Sequence, residues 1–208
     1  MKRILEIGHG GVLIGATYAH FRNQLPKNVE YFGVDYPRNV MQEFHDDRRL
    51  DDLNLSTFAN GQKYFNKRMA DLNTEFERNP DPRIHLIESD IRKVVLPSHF
   101  DEVHLHFVLS DPSVYLLEDL PMEMLSIAKC LLKGRGKIII TGAEQQSLLS
   151  PTPIGFAMID AVDRAGFSEI NSRRIFSEVV DLISELMKLR SQHCRCFFME
   201  AVNPDYQN

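Results

Sequence analysis

Short apolar runs, each bounded by turn residues, alternate along the chain with segments of helical period. Seven of these runs are predicted to be strands, at residues 4–7, 31–34, 84–87, 103–109, 137–141, 167–175 and 194–202. Their nearly continuous apolar character is typical of a parallel sheet that is covered on both faces.

The segments between the strands carry apolar residues at helical spacing. Helices are predicted at residues 13–24, 122–132 and 155–165, with Pro121 suited to a first helical position, and with Gly134 and Gly166 just past two of the ends. Proline is common at the start of a helix and glycine just after its end. Strand and helix in alternation predict an α/β fold with a doubly wound, Rossmann-like sheet.

Two connections are longer than this pattern requires, at residues 37–83 and 177–190. Long connections inside compact domains are often lids or binding elements. We therefore interpret residues 1–208 as a single domain with a helical insertion at 37–83, which would cover the substrate side. The alternative is that these helices only cover an edge of the sheet.

Composition narrows the class of protein. The 208 residues are 43% apolar and 25% charged, as in a globular protein, and the net charge of −5 includes no long basic run. Nucleic-acid binding depends on Lys and Arg, so no nucleic-acid partner is expected. No stretch approaches the ~20 apolar residues that span a bilayer, and three cysteines give no disulfide framework. The expected compartment is the cytoplasm, without membrane contact.

The first strand ends in the sequence LEIGHGGV, with Glu6, Gly8 and Gly10 at alternate positions. Glycines there let the backbone turn sharply and approach a ligand. A dinucleotide loop of the form G-x-G-x-x-G would need a third glycine at position 13, which is Leu13. The acidic residue before the loop favours S-adenosylmethionine instead, whose amino group needs an anionic partner.

Acidic residues also follow the next two predicted strands. Asp35 is placed to accept two hydrogen bonds from ribose hydroxyls, and Tyr36 to lie against an adenine ring. Asp90 can accept from the adenine amino group, and Ile91 can pack on the ring. Each carboxylate also has a structural alternative: Glu6 could hold nearby backbone amides, and Asp90 could cap a following helix.

With these residues in order, the sequence resembles the class I S-adenosylmethionine-dependent methyltransferases over nearly its whole length. The family often reads FDxVxxxxxLHH in its fourth strand and LKPGGxLxI before its fifth, and the matching stretches here are 100–111 and 132–140. Val12 stands where the family often has a third glycine, and Gly134, Arg135 and Gly136 replace Pro-Gly-Gly.

The resemblance implies a mixed sheet of about seven strands with an antiparallel last strand. It also implies methyl transfer from S-adenosylmethionine to a small-molecule acceptor, with S-adenosylhomocysteine as the product. The residues that it places in the cofactor pocket are Glu6, Gly8, His9, Gly10, Asp35, Tyr36, Asp90, Ile91 and His106, the last through its backbone carbonyl.

The chemical step and two rival functions complete the prediction. An acceptor that is a hydroxyl or a protonated amine needs a base, and Asp111 and Tyr115 are the candidates because they follow the fourth strand at its carboxyl end. One rival is a protein of this fold that binds the cofactor, or acts structurally, without turnover. The other is aminopropyl transfer, as in polyamine synthases.

His104 and His106 lie two residues apart, so they share one side of a strand. Metal sites use this geometry. No third ligand is evident from spacing, and no metal site is predicted.

Overall fold

The structure is a computed structural model that describes residues 1–8, 27–35, 81–97, 99–106, 119–143, 154–175 and 196–204. These residues form one sheet and two helices. Their elements are β1 (Lys2–Ile7), β2 (Val29–Asp35), β3 (Ile84–Glu88), β4 (Phe100–His106), α1 (Leu120–Leu131), β5 (Leu132–Ala143), α2 (Ile154–Arg164), β6 (Ser168–Ile175) and β7 (Cys196–Val202).

The sheet has seven strands in the order β3-β2-β1-β4-β5-β7-β6. Strands β3, β2, β1, β4 and β5 are parallel to one another, whereas β7 is antiparallel to both β5 and β6. The predicted α/β class, the seven strands and the antiparallel last strand are therefore confirmed. Because the strand order reverses between β1 and β4, a crevice is expected at the carboxyl ends of these strands.

The main core lies on one face of the sheet, between the strands and both helices. Leu5, Val103 and Ile138 contribute from the strands, Leu125 from α1 and Val162 from α2. Complete burial of an aliphatic side chain contributes about 1.5–3 kcal/mol. The opposite face of β1, β2 and β3 carries a smaller cluster formed by Ile4, Val29, Tyr31 and Ile84.

Helix α1 runs directly into β5, without a loop. Pro121 lies in its first turn, and Leu132 is already extended. Strand β5 begins five residues before the predicted start at Lys137. It begins there because Leu132 pairs with Phe100, ahead of a register shift in β4. This early pairing could not be read from the apolar run alone.

Gly134, Arg135 and Gly136 lie in a turn within β5, where the family that the sequence resembles often has Pro-Gly-Gly. Arg135 has a left-handed backbone with φ 62° and makes an ion pair of 2.8 Å with Glu169. Gly136 is buried, and a Cβ placed on it would lie 2.9 Å from the carbonyl oxygen of Lys133. The buried Asn203 donates its side-chain amide to the Lys133 carbonyl at 3.2 Å and accepts a backbone bond of 3.0 Å from Arg135. The altered sequence therefore still makes a closed turn.

Three predicted helical regions lie outside the described residues: 13–24, 177–190 and the part of the insertion from 37 to 80. The insertion and the single-domain organisation remain predictions. Helix α2 ends as predicted before Gly166, whose φ of 78° glycine adopts easily. Within the described part of the chain, no helix is both long and apolar enough to cross a membrane.

Candidate functional site

The candidate site is the carboxyl edge of the sheet around β1. This strand lies between β2 and β4, with Glu6 directly paired with Gly33 on one side and His104 on the other. Laterally paired residues point to the same face of a sheet. The register therefore gathers Glu6 and the histidines of β4 on one face, opposite the face that packs against α1 and α2.

Glu6 is completely buried, although it carries a carboxylate. The phenol of Tyr31 on β2 donates a hydrogen bond to Glu6 Oε2. Tyr31 lies diagonally across from Glu6, and Gly33, the residue directly opposite Glu6, has no side chain to stand between them. Burial, and then the charge of Glu6, raise the pKa of Tyr31 well above its ordinary value, so that the phenol keeps its proton and remains a donor.

Gly8 marks the point where the backbone leaves β1. Its amide donates a 2.8 Å hydrogen bond to the carbonyl of Val34, which extends the ladder with β2 by one residue. Its φ of 71° then turns the chain through the left-handed region. The predicted sharp turn at Gly8 is thus present, and the next predicted residues, His9 and Gly10, lie outside the described part.

Asp35 is the last residue of β2 and pairs with Glu88 at the end of β3. Its backbone is therefore at the carboxyl edge, as the sequence predicted. Tyr36 lies outside the described residues.

Asp90 lies two residues beyond β3, and its carboxylate is engaged by Arg92. The two residues share several hydrogen bonds, including 2.7 Å from Nη2 to Oδ2 and 2.9 Å from the Arg92 amide to Oδ1. These bonds hold the pKa of the Asp90 carboxyl at about 2. Ile91 packs against the main core. An adenine amino group that binds Asp90 would share this carboxylate with an exposed guanidinium.

A line of polar side chains runs along β4. Glu102 Oε2 lies 3.1 Å from His104 Nε2, His104 Nδ1 lies 3.3 Å from His106 Nε2, and His106 Nδ1 lies 2.9 Å from the Thr141 hydroxyl of β5. The two imidazole rings pack edge to face, with their centroids 5.2 Å apart. Burial, followed by repulsion from His104 whenever that ring is protonated, lowers the pKa of His106 to about 3, so that His106 is neutral at pH 7.

No protein-family model and no curated protein matches the sequence. Solved structures match it in fold. Phosphoethanolamine N-methyltransferase 2 of Haemonchus contortus, in complex with S-adenosyl-L-methionine, superposes with a TM-score of 0.56 at 16% identity, covering 98% of this chain and 49% of that one. The N-methyltransferase NodS of Bradyrhizobium japonicum WM9 superposes with a TM-score of 0.57 at 13% identity, and the match covers 98% of this chain and 86% of that one.

The chain has the class I S-adenosylmethionine-dependent methyltransferase fold. The [4+2]-cyclase SpnF shares it, with a TM-score of 0.59, 12% identity, and coverage of 98% of this chain and 75% of that one. The chain spans about half the length, 49%, of the two Haemonchus contortus structures. Fold alone does not determine the reaction.

On this methyltransferase fold, the described site residues fall into two groups. Glu6, Gly8, Asp35 and His106 lie at or near the carboxyl ends of the three neighbouring strands β1, β2 and β4. Asp90 and Ile91 follow β3 at the edge of the sheet. The predicted catalytic residues Asp111 and Tyr115 lie outside the described residues, so their roles remain predictions.

The sequence interpretation missed Glu102 and Thr141. The two-residue spacing of His104 and His106 extends back to Glu102, and residues two apart on a strand share a face, so this spacing is the signal for Glu102. Thr141 could not be found by spacing, because its contact with His106 depends on the pairing of β4 with β5. Among the described residues, no group of three or more His, Cys, Asp or Glu side chains is arranged to hold a metal ion.

Proposed function

We propose that the protein transfers a methyl group from S-adenosylmethionine to a small-molecule acceptor and releases S-adenosylhomocysteine. The observation that carries the proposal is the methyltransferase strand order with a buried Glu6 and a left-handed Gly8 at the end of β1. A buried carboxylate beside a glycine turn, at the reversal of strand order, suits a ligand with a positively charged amino group.

The chemistry of the side chains fits this cofactor. A carboxylate can accept about four hydrogen bonds, so Glu6 can receive an ammonium group together with the Tyr31 hydroxyl. Asp35 would accept from both ribose hydroxyls. Asp90 and Ile91 would contact the adenine together with Tyr36, and His9, Gly10 and the His106 carbonyl complete the proposed pocket.

The chain's own contribution to methyl transfer would be alignment and exclusion of water. When bound, the cofactor supplies a methyl carbon attached to a positively charged sulfur. The residues at the ends of β1 and β2 would hold its amino and ribose groups. An acceptor hydroxyl or ammonium must also lose a proton, and Asp111 and Tyr115 are the predicted residues for this step.

Calorimetry tests whether the protein binds the proposed cofactor. S-adenosylmethionine and S-adenosylhomocysteine should bind the full chain, and NAD should not, because the glycine loop lacks the third glycine of a dinucleotide site. Glu6→Gln should weaken the binding of both sulfur ligands. NAD binding tighter than either of them would overturn the proposal.

Turnover is tested separately with methyl-labelled S-adenosylmethionine and pools of small hydroxyl, amine and thiol compounds. Formation of labelled product together with S-adenosylhomocysteine would establish methyl transfer. SpnF has the same fold and is a [4+2]-cyclase, so this fold is not confined to methyl transfer. A protein that binds the cofactor, or acts structurally, without turnover is therefore the second candidate function. Tight binding of the cofactor with no transfer to any pool would support that alternative.

A further inference from the structure

The polar line on β4 lies beside an apolar cluster on the same face of the sheet. On the neighbouring strands, the same face carries the buried Ile4, Val29 and Ile84. Glu102 and His104 have side chains that are only 17% and 12% exposed. Polar groups at such positions cost stability unless each one is hydrogen-bonded. Every side chain in the line has a partner.

The two ends of the line lie at opposite edges of the sheet. At the amino edge, Glu102 Oε1 accepts a 2.6 Å bond from the ammonium of Lys2, which is 41% exposed. At the carboxyl edge, His106 and Thr141 are paired residues near the ends of β4 and β5. The line therefore connects the candidate site with solvent at the amino edge.

Glu102 gives the line a direction. An ionised carboxylate can only accept, so His104 must donate through Nε2–H. A neutral His104 then has a bare Nδ1, which can only accept, so His106 must donate through its own Nε2–H. The bare Nδ1 of a neutral His106 accepts from Thr141, and the lone pairs of the Thr141 oxygen are the acceptor at the carboxyl edge.

We propose that Thr141, His106, His104 and Glu102 form a proton relay that takes the proton which the methyl acceptor loses. This assignment rests on the proposed function, and in it the relay takes the place of Asp111 and Tyr115 as the base. Thr141 is the residue that contacts the acceptor group, whereas His104 and Glu102 act through their neighbours as positioning residues.

The proton transfers balance. As the acceptor's lone pair bonds to the methyl carbon, the carbon–sulfur electrons remain on sulfur, and the acceptor's proton moves to Thr141 Oγ1. The original hydroxyl proton of Thr141 passes to His106 Nδ1, the His106 Nε2 proton to His104 Nδ1, and the His104 Nε2 proton to Glu102 Oε2. Glu102 then releases one proton to water. Both imidazoles now carry their proton on Nδ1, and before the next turnover each must lose that proton to water and take one up from water at Nε2, with no net change in protons.

The electrostatics of Glu102 and His106 make both groups weak bases, so the proton must pass along the whole line in one concerted step and is not stored on either group. Hydrogen bonds from His104 and Lys2 hold the pKa of Glu102 at about 2, so the carboxyl gives its proton to water readily. Burial keeps His106 uncharged at neutral pH. Neither group would retain the proton between turnovers.

Nitrogen NMR of the imidazole rings shows which ring nitrogen of each histidine carries the proton, and it therefore tests the donor-to-acceptor direction of the line. The experiment needs neither cofactor nor acceptor. The variants His104→Asn and His106→Asn assign the imidazole signals. At pH 8, both rings of the wild-type chain should carry their proton on Nε2. Glu102→Gln should bring in the Nδ1–H tautomer, because a carboxamide can donate to His104. Glu30→Gln is the matched control, since Glu30 contacts His85 Nε2 at 3.1 Å outside the line. An Nδ1 proton on either wild-type ring, or an unchanged pattern in Glu102→Gln, would overturn the proposal.

Steady-state kinetics test whether the relay takes part in methyl transfer. The substrate is an acceptor found among the pools of hydroxyl, amine and thiol compounds. Thr141→Val and Glu102→Gln should lower kcat by at least about tenfold, within the range of acid–base catalysis, whereas Thr141→Ser keeps the hydroxyl and should retain most of the rate. Binding of S-adenosylhomocysteine should be unchanged in all three variants. A wild-type rate in Thr141→Val would refute the relay. Failure of the wild-type chain to bind S-adenosylhomocysteine would refute the proposed function and leave the NMR result to decide the direction of the line.

Discussion

Tyr31 and Glu6 are joined by a hydrogen bond between neighbouring parallel strands, and both side chains are buried. The bond ties a residue in the middle of β2 to Glu6, which lies two residues before the turn at Gly8. Because a buried carboxylate needs hydrogen-bond donors, we expect the phenol to stabilise the sheet and to orient Glu6, the residue proposed to bind the amino group of the cofactor.

Tyr31→Phe should lower the free energy of unfolding by about 1–3 kcal/mol, the usual cost of removing one partner of a buried polar group. Urea denaturation measures this change. The double-mutant cycle with Glu6→Gln isolates the pair. A coupling energy indistinguishable from zero would show that the bond between the two residues does not contribute to stability.

Asp35→Ala should weaken S-adenosylhomocysteine binding by at least about tenfold, because each hydrogen bond lost from a charged group is worth about 1.5–3 kcal/mol. Glu88→Ala is the matched control, since Glu88 is the partner of Asp35 at the end of the adjacent strand. Calorimetry gives the affinities and a thermal melt gives the stability. If Asp35→Ala unfolds the chain but the folded fraction binds normally, Asp35 has a structural role only.

His106 should make stability depend on pH. Its pKa is lowered to about 3 in the folded chain, whereas an unfolded histidine titrates near 6.5. The unfolded state therefore binds a proton first as pH falls, and the stability that is present above pH ~6.5 should decrease by about 1.4 kcal/mol per pH unit towards pH 3.

Urea denaturation between pH 7 and pH 5 measures that slope. His106→Gln should flatten it, and His99→Gln, which changes an exposed histidine, should not. Equal slopes in the wild-type chain and His106→Gln would contradict burial of a neutral imidazole at this position.

Gly136→Ala should destabilise the fold by about 1–3 kcal/mol, the typical cost of overpacking. The added methyl group would lie 2.9 Å from the Lys133 carbonyl and 3.2 Å from the Phe100 carbonyl, both backbone atoms that cannot move aside easily. Gly134→Ala is the control two residues away, at an exposed position. A thermal melt that shows equal losses in both variants would contradict the tight contact at Gly136.

Local pattern was sufficient to predict much of the described fold. The strands, the helices α1 and α2 and the turn at Gly8 all depend on residues close in sequence, through apolar runs, proline and glycine. The boundaries differ where pairing extends a strand, as at Leu132, which is extended because it pairs with Phe100. The antiparallel last strand came from the resemblance to a known family. The order of the strands came from the structure alone, since short apolar runs do not specify which strands are neighbours.

The sequence by itself determined the α/β class, the seven strands and the acidic and glycine residues that follow them, because these features arise from local periodicity and backbone preference. Only the tertiary structure decided that Tyr31 meets Glu6, that Lys2 meets Glu102 across 100 positions, and that His106 meets Thr141 across 35. Those contacts depend on strand order and register, and a shift of one residue would turn each side chain to the other face of the sheet.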